Sequence, residues 1–471
     1  MIRRTFIANT GILAAGMLAS KFSFGSTSGF PVVRPAVGER HFKSKSVDAA
    51  ISAFRSNVKH EELAWLFENC FPNTLDTTVY YSEKGNRPDT YVITGDIDAM
   101  WLRDSSAQVW PYLQFVNEDA PLKNLVKGLI NHQTKCILKD PYANAFYGDE
   151  TKEGEWKTDR TEMRPGIHER KWEIDSLCYP IRLAYNYFKK TNDKSPFDND
   201  WKKAIQATLR VFKEQQRKTD LGPYKFERES SRPTDSLPMD GYGFPVKPVG
   251  LICSAFRPSD DATIFPFLVP SNFFAVVSLK QAAELIKTVF NDASLENELL
   301  ALADEVEHAL KNHAIVQHPK YGKIYAFEVD GFGGTYLMDD ANIPSLLSLP
   351  YLDAVSIDDE IYQNTRRFVL SPDNPYFFKG SAGEGIGGPH IGQDMIWPMS
   401  IIMRALTSQD EGEIKACIES LRTTHGGTGF MHETFHKDDP TNFTRAWFAW
   451  VNTLFGELLW KTYTENPSLL S

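Results

Sequence analysis

Apolar residues recur at three-and-four spacing along most of the chain, the mark of helices that bury one face. Twelve such segments are predicted, at 46–70, 104–117, 121–138, 172–190, 198–216, 271–291, 294–314, 341–348, 357–370, 391–406, 410–422 and 444–463. Strand-like alternation is confined to short pieces such as Thr90–Ile93 and Lys323–Val329. No unit of about 20–50 residues repeats, so a solenoid is not signalled. The links alternate in length. After the second, fourth, sixth, eighth and tenth segments they span about 2–8 residues, and after the odd-numbered ones roughly 20–55. Short links join antiparallel neighbours, while long loops carry function. Six helix pairs with every long loop at one end predict an all-α fold, an (α/α)6 barrel. It forms a single domain over 41–471, with short β elements in the loops at its mouth. A helical protein of several domains would not predict so regular an alternation.

The six long loops carry chemistry as each approaches its inner helix. The first holds Asp96, Asp98, Trp101, Arg103 and Asp104, and the second His168, Glu169, Arg170, Trp172, Glu173 and Asp175. The third reads Phe256-Arg257-Pro258-Ser259-Asp260-Asp261, and the fourth Met338-Asp339-Asp340-Ala341-Asn342. The fifth brings His390 and Asp394, the sixth His432, Glu433 and Phe435 between Phe430 and His436. A lone Asp or Asn before a helix is most often an N-cap, and Arg103 with Asp104 reads as well as a structural ion pair. Six such loops at one end weaken that reading collectively. A concave, acidic, aromatic-lined pocket is the default binding site, and this one suits a carbohydrate.

Composition narrows the partners. The chain of 471 residues carries a formal net charge of -10, a poor match for nucleic acid or an anionic membrane. At 42% hydrophobic and 24% charged residues it is globular rather than disordered. Aromatic residues reach 13%, more than a core needs. Trp101, Trp172, Phe256, Phe430 and Phe435 are placed in the mouth, and Trp447, Phe448, Trp450 and Phe455 in inner-helix packing. Arg3 and Arg4 followed by the small-and-apolar run Ile7 to Ala19 describe a signal peptide over 1–25. Residues 26–40 then form a flexible leader. An exported, periplasmic bacterial protein is expected, without membrane insertion and acting as a monomer. Cys70, Cys136, Cys178, Cys253 and Cys417 are scattered and form no C-x-x-C pair, which removes zinc-ribbon and thioredoxin-like readings.

Acidic loops facing one another suit glycosidic bond cleavage, which needs two carboxyl groups flanking the scissile bond. One donates a proton to the leaving oxygen, and the other attacks or activates water. Asp260 or Asp261 in the third loop and Glu433 in the sixth meet that condition. The competing motif is His432-Glu433-Thr434-Phe435-His436, the H-E-x-x-H pattern of zinc peptidases. That chemistry requires both histidines on one helix face, whereas here glycines precede the motif and Lys437-Asp438-Asp439-Pro440 follows it. No metal and no cofactor is therefore expected.

Five stretches together resemble glycoside hydrolase family 125, the exo-α-1,6-mannosidases. They read TGDIDAMWLRDSSAQVWPYL, ERKWEIDSLCYPIRLAY, SAFRPSDDATIFPFLVPSNFFAVVSL, GGPHIGQDMIWPMS and GFMHETFHKDDPTNFTRAWFAWVNTLFGEL. They are spread from about residue 90 to residue 460 and cover essentially the whole mature chain. The resemblance implies an (α/α)6 catalytic domain that removes terminal non-reducing α-1,6-linked mannose from a glycan, without metal and with inversion. It places the general acid at Asp260, with Asp261 as alternate, and the general base at Glu433. It also places Trp101, Arg103, Asp104, Arg257 and His390 around the terminal mannose. Glu173, Asp175, Asp340 and Asn342 are softer candidates, since capping or packing explains each equally well. Spacing and composition alone leave open another (α/α)6 exo-glycosidase or a non-catalytic glycan-binding protein.

Overall fold

An Asp or Ser directly before a helix satisfies first-turn amides that the helix itself cannot. Six helices begin this way in the computed structural model, which describes residues 29–471 apart from Asn86. They are α1 (Lys45–Asn57, capped by Ser44), α5 (Ala120–Lys139, Asp119) and α7 (Asn199–Gln215, Asp198). The others are α9 (Ala293–His313, Asp292), α10 (Glu360–Val369, Asp359) and α12 (Glu411–Thr423, Asp410). Between them in sequence stand α2 (Glu61–Cys70), α3 (Asn73–Thr77), α4 (Leu102–Val109), α6 (Ile174–Thr191) and α8 (Val269–Leu285). The series is completed by α11 (Pro398–Leu406) and α13 (Ala449–Glu465).

Helices α4, α6, α8, α11 and α13 start differently. They follow Trp101, Glu173, Leu268, Trp397 and Phe448, none of which caps with its side chain. Their entry amides go to neighbouring loops instead. Leu102 donates to the Asn144 carbonyl (3.0 Å), Val269 to Phe327 (2.8 Å) and Ala449 to Thr94 (3.0 Å). Ile174 donates to Ser254 Oγ at 3.2 Å. Short strands reinforce the same joints: Met100–Trp101 pairs with Ala145–Phe146, Phe267–Leu268 with Glu328–Val329, and Met395–Ile396 with Phe435 and His436. Each uncapped helix is thus stitched to the loops beside it, and the loops hold one another.

Helix α4 packs between α13 and α6, α6 also against α8, and α11 against α13. Outside them lie α5 against α6, α9 against α8, α12 against α11 and α2 against α13. The core is continuous and aromatic-rich, with Trp172, Trp450, Tyr179 and Phe274 buried. Among the described residues no helix is long and apolar enough to cross a membrane.

Four expected helices change. The segment 341–348 is not helical. Pro344 lacks an amide and disfavours the α conformation at the residue before it. The Asp339 carboxylate also takes the amides of Leu346 (2.8 Å) and Leu347 (3.0 Å), which a helix would use otherwise. The expected 46–70 helix breaks after Asn57, where Val58 turns extended, and resumes as α2. The expected 391–406 helix begins only at Pro398, after the strand Met395–Ile396. Likewise 444–463 begins only at Ala449, because Asp439–Thr444 pairs with Thr434–His436. The signal peptide at 1–25 lies outside the described residues. In the stretch expected as a leader, residues from Phe30 onward make contacts: Phe30 stacks on Trp65, and Arg34 Nε bonds Asp76 at 2.7 Å.

Candidate active site

The loops that enter the uncapped helices meet at a cavity of about 390 Å³ of empty space, open side included. Of the expected residues, Trp101, Arg103, Asp104, Asp260, His390 and Glu433 line it. Arg257 and Asp261 do not. Arg257 is buried behind the wall, its Nε on Glu328 Oε1 at 2.6 Å. Asp261 is buried too, its Oδ1 at 3.4 Å from His390 Nδ1.

The third loop separates its two neighbouring acids by a tight turn. Arg257 N donates to Asp261 O (2.8 Å) and Asp260 N to Arg257 O (2.9 Å). Asp260 sits at φ +68°, in the left-handed region that Asp tolerates better than most residues. Lys171 Nζ holds its carbonyl at 2.8 Å, and Ser259 Oγ donates to Asp340 Oδ2 at 2.7 Å. The outcome is that Asp260 reaches the cavity while Asp261 turns to His390.

Below Asp260 lies a crowd of carboxylates around one cation. The Arg103 guanidinium is within 2.6 Å of Glu173, 3.3 Å of Asp104 and Asp175, and 3.6 Å of Asp260. Burial pushes the Glu173 carboxyl well above its ordinary value; Arg103 opposes, and Asp175 and Asp260 add to the rise. Burial likewise raises Asp175 to about 6 against the pull of Arg103, and it raises Asp104. One buried guanidinium is shared among these carboxylates, and burial favours the neutral form of Glu173 above all.

Glu433 has a different setting on the opposite loop. Its Oε2 accepts from Thr444 Oγ1 at 2.9 Å, and its Oε1 lies 3.7 Å from Arg445 Nη1. Arg445 is fixed in turn by Asp96 Oδ1 at its Nε (2.9 Å) and by Thr94 Oγ1 at its Nη2 (2.8 Å). The His432-to-His436 motif does not form a zinc helix. Thr434–His436 is a strand, and the His432 ring stacks on Phe443 at 3.6 Å. Burial pushes His432 down to about 4, which leaves it neutral and bonded to Thr428. Among the described residues no group of three or more His, Cys, Asp and Glu is placed to hold a metal ion.

The aromatic walls differ from expectation. Trp101 lines the cavity as expected, joined by Trp397, Phe448 and Trp450. Trp172, Phe256 and Phe435 are buried packing instead. Trp397 and Arg445 were not anticipated. The signal for Trp397 was positional: like Trp101 and Phe448, it immediately precedes an uncapped helix. Arg445 had no local signal beyond its place in the Thr-Arg-Ala-Trp stretch.

Known proteins match this arrangement. A family described as metal-independent alpha-mannosidase (GH125) matches residues 60–460. The meiotically up-regulated gene 157 protein of Schizosaccharomyces pombe is 41% identical over 93% of this chain and 90% of its own length. Among solved structures, a metal-independent α-mannosidase of Streptococcus pneumoniae in a non-productive complex with α-1,6-mannobiose is 42% identical. It covers 90% of this chain and 99% of its own, with a TM-score of 0.86. A bacterial glucoamylase bound to acarbose has a TM-score of 0.52 at 12% identity, over 79% of this chain and 50% of its own, and so shares the fold alone. A hydrolase cavity furnished with paired acids and aromatic walls, on a chain matched almost from end to end, identifies the protein as a member of the metal-independent α-mannosidase family GH125.

Proposed function

We propose that the protein is an exo-acting hydrolase that removes terminal non-reducing α-1,6-linked mannose with inversion of configuration. Asp260 is the general acid and Glu433 the general base. The observation that carries this reading is the delivery of these two carboxylates, from separate loops, to one small cavity. Asp260 protonates the glycosidic oxygen as the bond breaks. Glu433 takes a proton from a water that attacks the anomeric carbon from the other face. Room for that water implies carboxyl groups about 6.5–9.5 Å apart. Of the two guanidiniums near the third loop, neither is dedicated to Asp260. Arg257 is committed to Glu328, and Arg103 is shared among three further carboxylates.

The aromatic faces of Trp101, Phe448 and Trp450 offer apolar walls for a sugar ring, and Arg103, Asp104 and His390 offer partners for its hydroxyls. A small cavity rather than a long groove suits removal of one terminal unit. The α-1,6 linkage is supported by the mannobiose bound to the streptococcal relative. The order of helix packing supports an (α/α)6 barrel in which the irregular segment 341–352 stands in for one inner helix. The basic and then apolar N-terminal pattern supports export to the periplasm.

A digest of α-1,2-, α-1,3- and α-1,6-mannobiose, with the released sugar followed by NMR, tests the reading. Cleavage of the α-1,6 isomer alone, with β-mannose appearing first, is expected. Preferred cleavage of another isomer, or α-mannose appearing first, would overturn it.

A further inference from the structure

Asp261 is the acid of the third loop that the proposed reaction leaves without a role. It is almost fully buried, and its Oδ1 faces His390 Nδ1 at 3.4 Å. His390 itself opens on the cavity. Its carbonyl is tied by Arg232 Nη1 at 3.1 Å, which anchors the loop on the far side of the ring. With Nδ1 turned to Asp261, Nε2 is the nitrogen left to meet a ligand.

We propose that Asp261 is a positioning residue acting through His390: it engages Nδ1 so that Nε2–H is aimed into the cavity to meet a hydroxyl of the sugar. The inference rests on the function proposed above. Charge around the ring favours it. Asp261, Glu433 and Asp260 are the acids acting on His390, and Asp340 stands behind Asp261. The nearby cations are engaged elsewhere, Arg257 by Glu328 and Arg232 at the backbone. Burial opposes the charge on His390, but Asp261 above all outweighs it and brings the group up to about 9. Asp261 responds in kind: burial pushes it up, yet His390 and Thr234 pull it below the ordinary carboxylate range. An imidazolium in this place donates Nε2–H to a sugar hydroxyl. It also offsets the negative charge of a cavity that has to hold an ionised base.

The sign follows. A raised histidine is charged below its folded value and loses its charge as pH rises through about 9. The His390 ring signal in the NMR spectrum of the wild-type protein should therefore titrate near pH 9. In Asp261→Asn it should titrate at least about one pH unit lower. His390→Gln, which loses the donor, should raise KM on α-1,6-mannobiose by about ten-fold. A His390 signal titrating at its ordinary 6.5, or one unmoved in Asp261→Asn, overturns the inference. If Asp261→Asn does not fold, the wild-type titration decides. Failure of the wild type to cleave α-1,6-mannobiose counts against the function instead, and the titration still stands on its own.

Discussion

Replacing Glu173 with Gln removes what looks like a strong buried ion pair, Arg103 Nη1 to Glu173 Oε2 at 2.6 Å. Breaking such a pair ordinarily costs about 3–5 kcal/mol, because one charge is left buried without its partner. Here the expectation is different. Arg103 keeps Asp104, Asp175 and Asp260 within 3.6 Å, and burial pushes Glu173 toward its neutral form. Gln is a neutral isostere, and its carbonyl still accepts from Arg103 and from Ser176 Oγ. With an unfolding entropy of about 2.1 cal/mol/K per residue, the 471-residue chain loses about 1 °C in Tm per kcal/mol. Glu173→Gln should therefore move Tm at pH 7 by no more than about 1 °C downward.

The pH dependence sharpens the test. A carboxyl raised in the folded state stabilises fully below its unfolded value, 4.5 for Glu173, and loses that contribution as pH rises. As pH rises from 5 to 8 the wild type should therefore lose Tm relative to the variant. Asp175 remains in both proteins, and its own contribution fades between 3.8 and about 6. Thermal unfolding followed by circular dichroism at pH 5 and pH 8 reads the difference. A drop of 3–5 °C in Glu173→Gln at both pH values, about the cost of a broken buried pair, would refute a protonated Glu173.

Two further outcomes bear on the chemistry. Asp260→Asn should lower kcat on α-1,6-mannobiose by about 10²–10⁴, yet lose far less on dinitrophenyl α-mannoside, whose leaving group needs no proton. Equal losses on both substrates would remove Asp260 from the acid role. Dialysis against a strong chelator should leave turnover unchanged, since His432 is stacked on Phe443 and bonded to Thr428; activity lost and then restored by zinc would contradict this.

Much of this fold is legible in helical periodicity because eleven of the twelve expected segments contain a helix that buries a face against its neighbours. The failures share a cause. At 341–348 the apolar spacing is helical, but Pro344 and the Asp339 carboxylate claim the backbone. At 391–397 the chain includes the strand Met395–Ile396, and at 444–448 it leaves a strand at Thr444 and bridges Gly95 through Phe448, pairings that periodicity alone does not separate from helix. For the site, the acids were visible as motifs, but their depth was not. Asp260 and Asp261 are adjacent in sequence, and only the left-handed turn at Asp260 sends them in opposite directions. The cap reading of an aspartate before a helix holds for α5, α7, α9, α10 and α12. Helices α4, α6 and α11 have no side-chain cap, which leaves the acids and tryptophans at their starts for the cavity.

The division of labour between two opposed carboxylates is tested most directly at Glu433. Glu433→Gln keeps the side chain's size and its bond from Thr444 Oγ1, but removes the base. Turnover of α-1,6-mannobiose should fall by at least about 10², while calorimetric affinity for the same disaccharide stays within a few-fold of that of a non-hydrolysed analogue on the wild type. Turnover within a few-fold of wild type would contradict a base at Glu433.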